Sequence, residues 1–266
     1  MPDAAIRINA LPDLYCLPII FGLQQKDSPA AAGLLFESAG VNTERILNGE
    51  CDAALIGPIE YARNSSDFSL YPTIGVSSRG ESRTIVLCIN RSIRKISTVA
   101  IGVVSSSDIV LAKIVLAEKF EQEISFVPVI GPVDHMLAKA DAALLTGNAV
   151  LSQAWDGPVL DLVDEWSDMT DLPFVHNCCA ARTEKEQKDI KTLLLSSQRE
   201  GAQSLVRIAS EQSRSLSLPP ELLERQLEHY SYGFDEDTRE ALAEFFRYAF
   251  YLGVLPDVPE INVFTP

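Results

Sequence analysis

Two stretches about ninety positions apart share a pattern that constrains this chain more than any other feature. The first reads Cys51-Asp52-Ala53-Ala54-Leu55-Ile56-Gly57-Pro58 and the second Ala140-Asp141-Ala142-Ala143-Leu144-Leu145-Thr146-Gly147. Each is a short apolar run bounded by turn residues, the mark of a buried strand. Gly49 suits the left-handed position that closes a helix ending at Leu47, and Pro58 suits the first position of a new helix. A strand that stops at a helix start ends beside main-chain N–H groups that the helix leaves unpaired.

The elements around the two stretches also repeat in order. In the first half, residues 6–10 alternate like a strand, Pro18 opens an apolar helix over 19–23, and residues 33–36 form a strand. Asn42 and Thr43 cap a short helix, and the Asp52 strand follows. In the second half, residues 97–104 form a strand, and Ser105 to Asp108 cap a helix over 109–120. Residues 124–129 form a strand, Gly131-Pro132 starts a helix, and the Asp141 strand closes the series. Strands joined by helical crossovers favour a parallel sheet that binds ligands beyond its strands' carboxyl ends. The repeat therefore predicts two related α/β lobes facing a cleft.

Between the halves, residues 73–77 and 83–89 are extended segments suited to leaving one lobe and entering the other. Residues 161–166 read as an acidic helix start and 172–176 as a strand returning to the first lobe. These signals divide the chain into a first lobe of 1–91 with 175–266 and a second of 92–174. The C-terminal region reads as helices over 184–213, 221–229 and 235–252. The last of these places Leu242, Phe245, Phe246, Ala249 and Phe250 on one face.

A chain of 266 residues with 47% hydrophobic content can bury a large core. Its formal net charge of -15 argues against nucleic acid as a partner, because phosphate binding needs clustered Lys and Arg. Residues 1–5 run into the first strand with no signal-peptide pattern, and no apolar stretch reaches membrane-spanning length. A cytoplasmic protein with no membrane partner is expected. The five cysteines fit a reducing compartment: Cys16, Cys51 and Cys88 sit in apolar runs, and Cys178-Cys179 with His176 lacks the second ligand pair of a zinc site.

Candidate chemistry lies in the loops facing the cleft, which carry hydroxyls and amides more than charges. Gly57-Pro58, Ser105-Ser106-Ser107 and Gly147-Asn148 each mark a helix start, where free N–H groups suit a carboxylate; helix capping alone explains the serines equally well. Arg79 and Arg83 lie on the linker and read first as exposed side chains. The chain has no nucleophile elbow, phosphate loop, dinucleotide fingerprint or metal-spaced cluster, so any catalysis would rest on positioning and hydrogen bonds.

Several ordered motifs now point the same way: residues 49–56 with Ile59-Glu60-Tyr61, Ser77-Ser78-Arg79-Gly80 with residues 83–87, residues 140–149, Leu160-Asp161-Leu162 with Glu165-Trp166, Thr170, and Leu172-Pro173-Phe174. Together they resemble the MqnA family of chorismate dehydratases in menaquinone biosynthesis by the futalosine route. The resemblance spans nearly the whole chain. It implies an α/β, two-lobed periplasmic-binding-protein-like fold of the second type with a helical C-terminal region, working inside the cell. It also implies dehydration of chorismate to 3-[(1-carboxyvinyl)oxy]benzoate with neither metal nor organic cofactor. Thr84 and Tyr15 would take catalytic positions, while Gly57, Pro58, Arg79, Ser105, Ser106, Ser107, Gly147 and Asn148 would hold a small dicarboxylate, in a monomer or homodimer.

This chain departs from the family pattern in places. Tyr15 stands where the family has Asn, Gly57-Pro58 replaces a Pro-Ser pair, Thr84 replaces Ser, and Ser107-Asp108 replaces Thr-Ser. Asp108 either competes with the ligand for helix amides or caps the helix itself. Two further readings stay open: a binding or sensing protein that kept the cleft and lost the chemistry, and the sister enzyme 1,4-dihydroxy-6-naphthoate synthase.

Overall fold

The computed structural model describes residues 6–92, 94–185 and 188–264, leaving residues 1–5 outside. The first half supplies β1 (Ile8–Ala10), α1 (Leu17–Ile20), β2 (Leu34–Phe36), α2 (Ala39–Leu47), β3 (Ala53–Ile56), α3 (Pro58–Ala62) and β4 (Phe68–Ser78). Next come β5 (Ile85–Ile89), β6 (Thr98–Ile101), α4 (Ser106–Glu118), β7 (Ser125–Pro128), α5 (Val133–Leu137), β8 (Ala142–Thr146), α6 (Asn148–Ser152), β9 (Val159–Asp161) and α7 (Leu162–Thr170). The chain ends with β10 (Phe174–Arg182), α8 (Lys188–Ala202), α9 (Leu205–Leu216), α10 (Pro220–Glu228), β11 (Tyr230–Tyr232) and α11 (Glu236–Tyr251).

Two sheets result, ordered β11-β4-β10-β3-β1-β2 and β7-β6-β8-β5-β9. Within each, three strands pair in parallel with the first strand of the half in the middle: β1 between β2 and β3, and β6 between β7 and β8. Each repeated Asp-Ala-Ala-Leu stretch thus forms the third strand of its half, β3 or β8. The shared aspartate has a structural task in both. Asp52 accepts the Arg7 main-chain N–H at 2.9 Å, and Asp141 accepts those of Ser97 and Thr98 at 2.9 Å each, so each carboxylate pins the start of the middle strand.

The outer partner of each repeated strand is reached by a crossing of the chain between the sheets. β10 runs antiparallel to β3, and β5 runs antiparallel to β8. The segment over 83–89, placed in the first lobe by the boundary at residue 91, therefore belongs to the second sheet; the chain changes sheets between Ser78 and Ile85. This exchange ties the halves together with two main-chain crossings.

Gly49 takes φ +70° beyond α2, and Pro58 occupies the first turn of α3, as the sequence implies. Other local expectations need correction. Ser38 caps α2, while Asn42 lies inside it, fully buried, donating to the carbonyls of Ala10 and Leu55 at 3.2 and 2.9 Å. That side chain locks α2 to the ends of β1 and β3. The helix expected over 184–213 is two helices, α8 and α9, with residues 186–187 outside the described set. On α11, Leu242, Phe245, Phe246 and Ala249 are buried as expected, but Phe250 is 39% exposed.

An apolar cluster reaches from Ile56 and Tyr61 through Leu87, Leu111 and Trp166 to Phe245 and Phe246, joining both sheets along one side. A second cluster covers the other face of the first sheet under α1, α8, α9 and α10. Among the described residues, no helix is long and apolar enough to cross a membrane.

Candidate active site between the sheets

The two sheets meet where β1, β3, β6 and β8 end and the following helices or turns begin. Ser105 caps α4, its hydroxyl accepting the Asp108 N–H at 3.1 Å. Ser107 reaches across to the other sheet: its Oγ accepts the Ile59 N–H at the start of α3 at 3.0 Å and lies 3.5 Å from Glu60 Oε2. Gly57 makes this approach possible, since a Cβ there would lie 2.4 Å from Glu60 Oε2 and 2.8 Å from Ser107 Oγ. Pro58, next to it, is buried and has no N–H to offer.

A second clasp joins α6 to the turn before α1. The Asn148 carboxamide accepts the Leu14 N–H at 3.0 Å and donates to the Pro12 carbonyl at 3.3 Å. Gly147 has φ +55°, and a Cβ on it would lie 2.1 Å from Asp13 Oδ1. The Asp13 carboxyl thus lies against the start of α6. At two of the three expected amide sites, the starts of α3 and α4, main-chain N–H groups already meet serine hydroxyls of this protein.

The floor of the site is aromatic. Tyr15 lies against His176 and Tyr230, with ring centroids 5.3 and 5.4 Å apart. His176 Nε2 pairs with Ser78 Oγ at 2.7 Å, and burial pushes its pKa down to about 3, so the ring is neutral. Thr84 is buried, its hydroxyl 2.6 Å from the Tyr230 hydroxyl and 3.3 Å from the Ser82 carbonyl. Gln226 donates to that same carbonyl at 2.7 Å and to the Tyr230 hydroxyl at 2.9 Å. Thr84, Tyr230, Gln226 and the Ser82 carbonyl thus form one buried hydrogen-bonded group. Tyr230→Phe should lower stability by about 1–2 kcal/mol, read by urea unfolding with unchanged m, because it leaves Thr84 a buried hydroxyl with one weak partner.

Electrostatically the site is acidic. Burial, reinforced by the charges of Asp13 and Glu60, raises the Asp108 pKa to about 7 against hydrogen bonding from Ser105. Burial also raises the pKa of Asp13. Deep as they lie, Asp13, Tyr15 and Asp108 each keep some water-accessible surface.

Of the residues singled out from the sequence, the structure gathers Tyr15, Gly57, Pro58, Thr84, Ser105, Ser107, Gly147 and Asn148 around this junction; Ser106 lies on the same turn, partly exposed. Arg79 is not brought in: it is exposed and pairs with Asp171 at 2.9 Å. Sequence reasoning missed Asp13, Glu60, Tyr230 and Gln226. Glu60 stood within a quoted motif and Asp13 lies two positions before Tyr15, whereas nothing local marks the last two. The larger of the two hollows described, about 860 Å³, lies elsewhere, at the outer edge of the second sheet beside Val86, Trp155 and Asp161. Among the described residues, no three His, Cys, Asp or Glu side chains are placed to hold a metal ion.

Two α/β sheets exchanging a strand and enclosing a polar site at their carboxyl ends define the periplasmic-binding-protein fold, and solved structures agree. The alkanesulfonate-binding protein SsuA of Xanthomonas axonopodis pv. citri, bound to MOPS, superposes with a TM-score of 0.71 at 16% identity, covering 98% of each chain. The Candida albicans CA3427 product, described as having the generic periplasmic binding protein fold, gives 0.63 at 13% identity over 96% of this chain and 92% of its own. Protein AF1704 of Archaeoglobus fulgidus gives 0.68 at 18% identity, covering 94% of this chain and 98% of its own. Residues 6–251 match the family described as menaquinone biosynthesis, and the chain belongs to it.

Proposed function

We propose that this protein is the dehydratase of its pathway, converting chorismate to 3-[(1-carboxyvinyl)oxy]benzoate in the closed site between the sheets. The observation that carries this reading is family membership over residues 6–251 combined with a deep polar junction of hydroxyls and main-chain donors. The reaction breaks the ring C–O bond to the hydroxyl and the C–H bond on the adjacent carbon, releasing water with no change of redox state. Aromatisation drives it, so the protein's task is to orient the substrate and exclude solvent. Tyr15, Ser105 to Ser107 and Asn148 would orient the two carboxylates, and the clasps through Ser107 and Asn148 must open to admit them.

A second reading, a binding or sensing protein of the same fold, is favoured by the serine hydroxyls already on the cleft amides and by the Thr84 hydroxyl already bonded to Tyr230. Incubation with chorismate, followed by ultraviolet spectra and chromatography, separates the two. The dehydratase should yield the enolpyruvyl benzoate and consume chorismate well above the protein-free rate. Thermal stabilisation by chorismate with no product would replace it with the binding reading.

A further inference from the structure

We infer that the hollow at the outer edge of the second sheet is a binding site for a small organic cation, a primary amine or guanidinium carrying an aromatic or branched apolar body. The inference stands apart from the reading of the cleft, since the residues around Asp13 and Ser107 do not line this hollow. Its volume of about 860 Å³ lies within the roughly 300–1,000 Å³ usual for small-molecule sites. The hollow exists because one face of the second sheet is only partly covered. α5, five residues long, packs on β6 and β8, and the β5–β9 end of that face is left to the loop that carries Trp155. Val86 and Leu145, paired in register on β5 and β8, supply an apolar floor together with Cys88, and Val150 and Trp155 extend it. Trp155 is held in place: its indole N–H donates to the Pro158 carbonyl at 3.1 Å, and Gly157 passes so close that a Cβ there would fall 2.2 Å from the ring. An aromatic wall fixed before the ligand arrives costs little ordering on binding.

The charge of the occupant follows from the lining, where six carboxylates stand against one arginine. Four of the six are engaged: Glu81 with Arg83 at 3.1 Å, Asp156 with Arg91, Glu165 with Lys119, and Asp161 with the main-chain N–H groups of Arg83 and Val163 at 2.6 and 2.9 Å. Asp134 and Asp164 have no ion-pair partner among the described residues, so the hollow keeps uncompensated negative charge beside its apolar floor. The Trp155 ring already has the Arg91 guanidinium over it, 5.8 Å from its centroid, as expected of an indole face that attracts positive charge. An anion meets repulsion here, and a second copy of a chain with net charge -15 brings more charge of the same sign. No three of the described His, Cys, Asp or Glu side chains are placed to hold a metal ion, so a bare cation lacks its ligand set. A cation with an apolar body meets both demands: the body displaces water from Val86, Leu145 and Trp155, while the charged end meets Asp134 or Asp164.

The test is titration of the whole chain with 2-phenylethylammonium, the matched anion 3-phenylpropionate and the neutral 2-phenylethanol, followed by calorimetry and by tryptophan emission. Of the two tryptophans Trp155 is partly exposed and Trp166 fully buried, so the emission reports on the hollow. The ammonium should bind at least tenfold more tightly than either of the others and shift the emission. Its binding should weaken severalfold as salt rises from about 0.05 to 0.5 M. Trp155→Ala should abolish the emission change and weaken binding about fivefold or more, and Asp164→Asn should weaken it about threefold. Asp164→Asn, a change at a partly exposed side chain, carries the test alone if Trp155→Ala folds poorly. Equal or tighter binding of the anion, no amine binding up to about 10 mM, or affinity unchanged in the variants would each overturn the inference. So would an amine that chorismate displaces competitively and that responds to Asp108→Asn alone, since that behaviour puts it in the cleft.

Discussion

At about pH 8 the Asp108→Asn variant should unfold roughly 5–10 °C above the parent, whereas below about pH 4 the two should melt together. The sign follows from the direction of the shift. The folded-state pKa of Asp108 is raised, by burial first and then by Asp13 and Glu60, to about 7. A raised carboxyl binds its proton more tightly in the folded state, so its relative stability is intact below the unfolded value. It is lost progressively as pH rises through about 7. Above that point the ionised carboxylate destabilises the fold by roughly 2–4 kcal/mol, and Asn, of the same shape and without the charge, escapes the penalty. In a chain of this size each kcal/mol moves the midpoint by about 2–4 °C. Calorimetric melts of both proteins across the pH range decide the matter, and parallel curves at all pH values would refute the assignment.

Gly201→Ala should destabilise the protein by about 3 kcal/mol or more, visible as a lower urea midpoint with unchanged m. Gly201 lies in α8, where a Cβ would fall 1.9 Å from the Pro18 carbonyl oxygen and 2.6 Å from its carbon. The obstruction is backbone, so α1 and α8 must separate to accept one methyl group. The displacement reaches the site, because α1 follows directly on the turn that carries Asp13 and Tyr15. Ligand binding should therefore suffer along with stability. Gly40→Ala supplies the control: in α2 nothing lies within 4 Å of the new Cβ, and the better helix propensity should leave stability unchanged or raise it by up to about 1 kcal/mol.

How far the site could be read ahead depends on the range of the forces involved. The two Asp-Ala-Ala-Leu strands, the left-handed Gly49 and Pro58 at the start of α3 were legible because periodicity and backbone preference act within a few residues. The helix starts at Ser105, Gly57 and Gly147 were placed from the same local signals, and the structure brings them to one junction. Asp108 was legible only as a dilemma, and the fold answers part of it by giving the Asp108 main-chain N–H to the Ser105 hydroxyl. The pairing of Thr84 with Tyr230 spans 146 positions, and no local pattern in either residue announces it. The same holds for the clasp between Asn148 and Leu14, 134 positions apart.

By itself the sequence determined that this chain contains two similar α/β halves whose strands end at helix starts, since burial patterns and turn residues act along the chain. Only the tertiary structure decided which strands the crossing segments pair with, β5 with β8 and β10 with β3, and that the cleft amides hold serine and asparagine groups of the protein itself. Strand pairing and the meeting of like charges depend on distance in space, and contacts across more than a hundred residues leave no periodic trace to read.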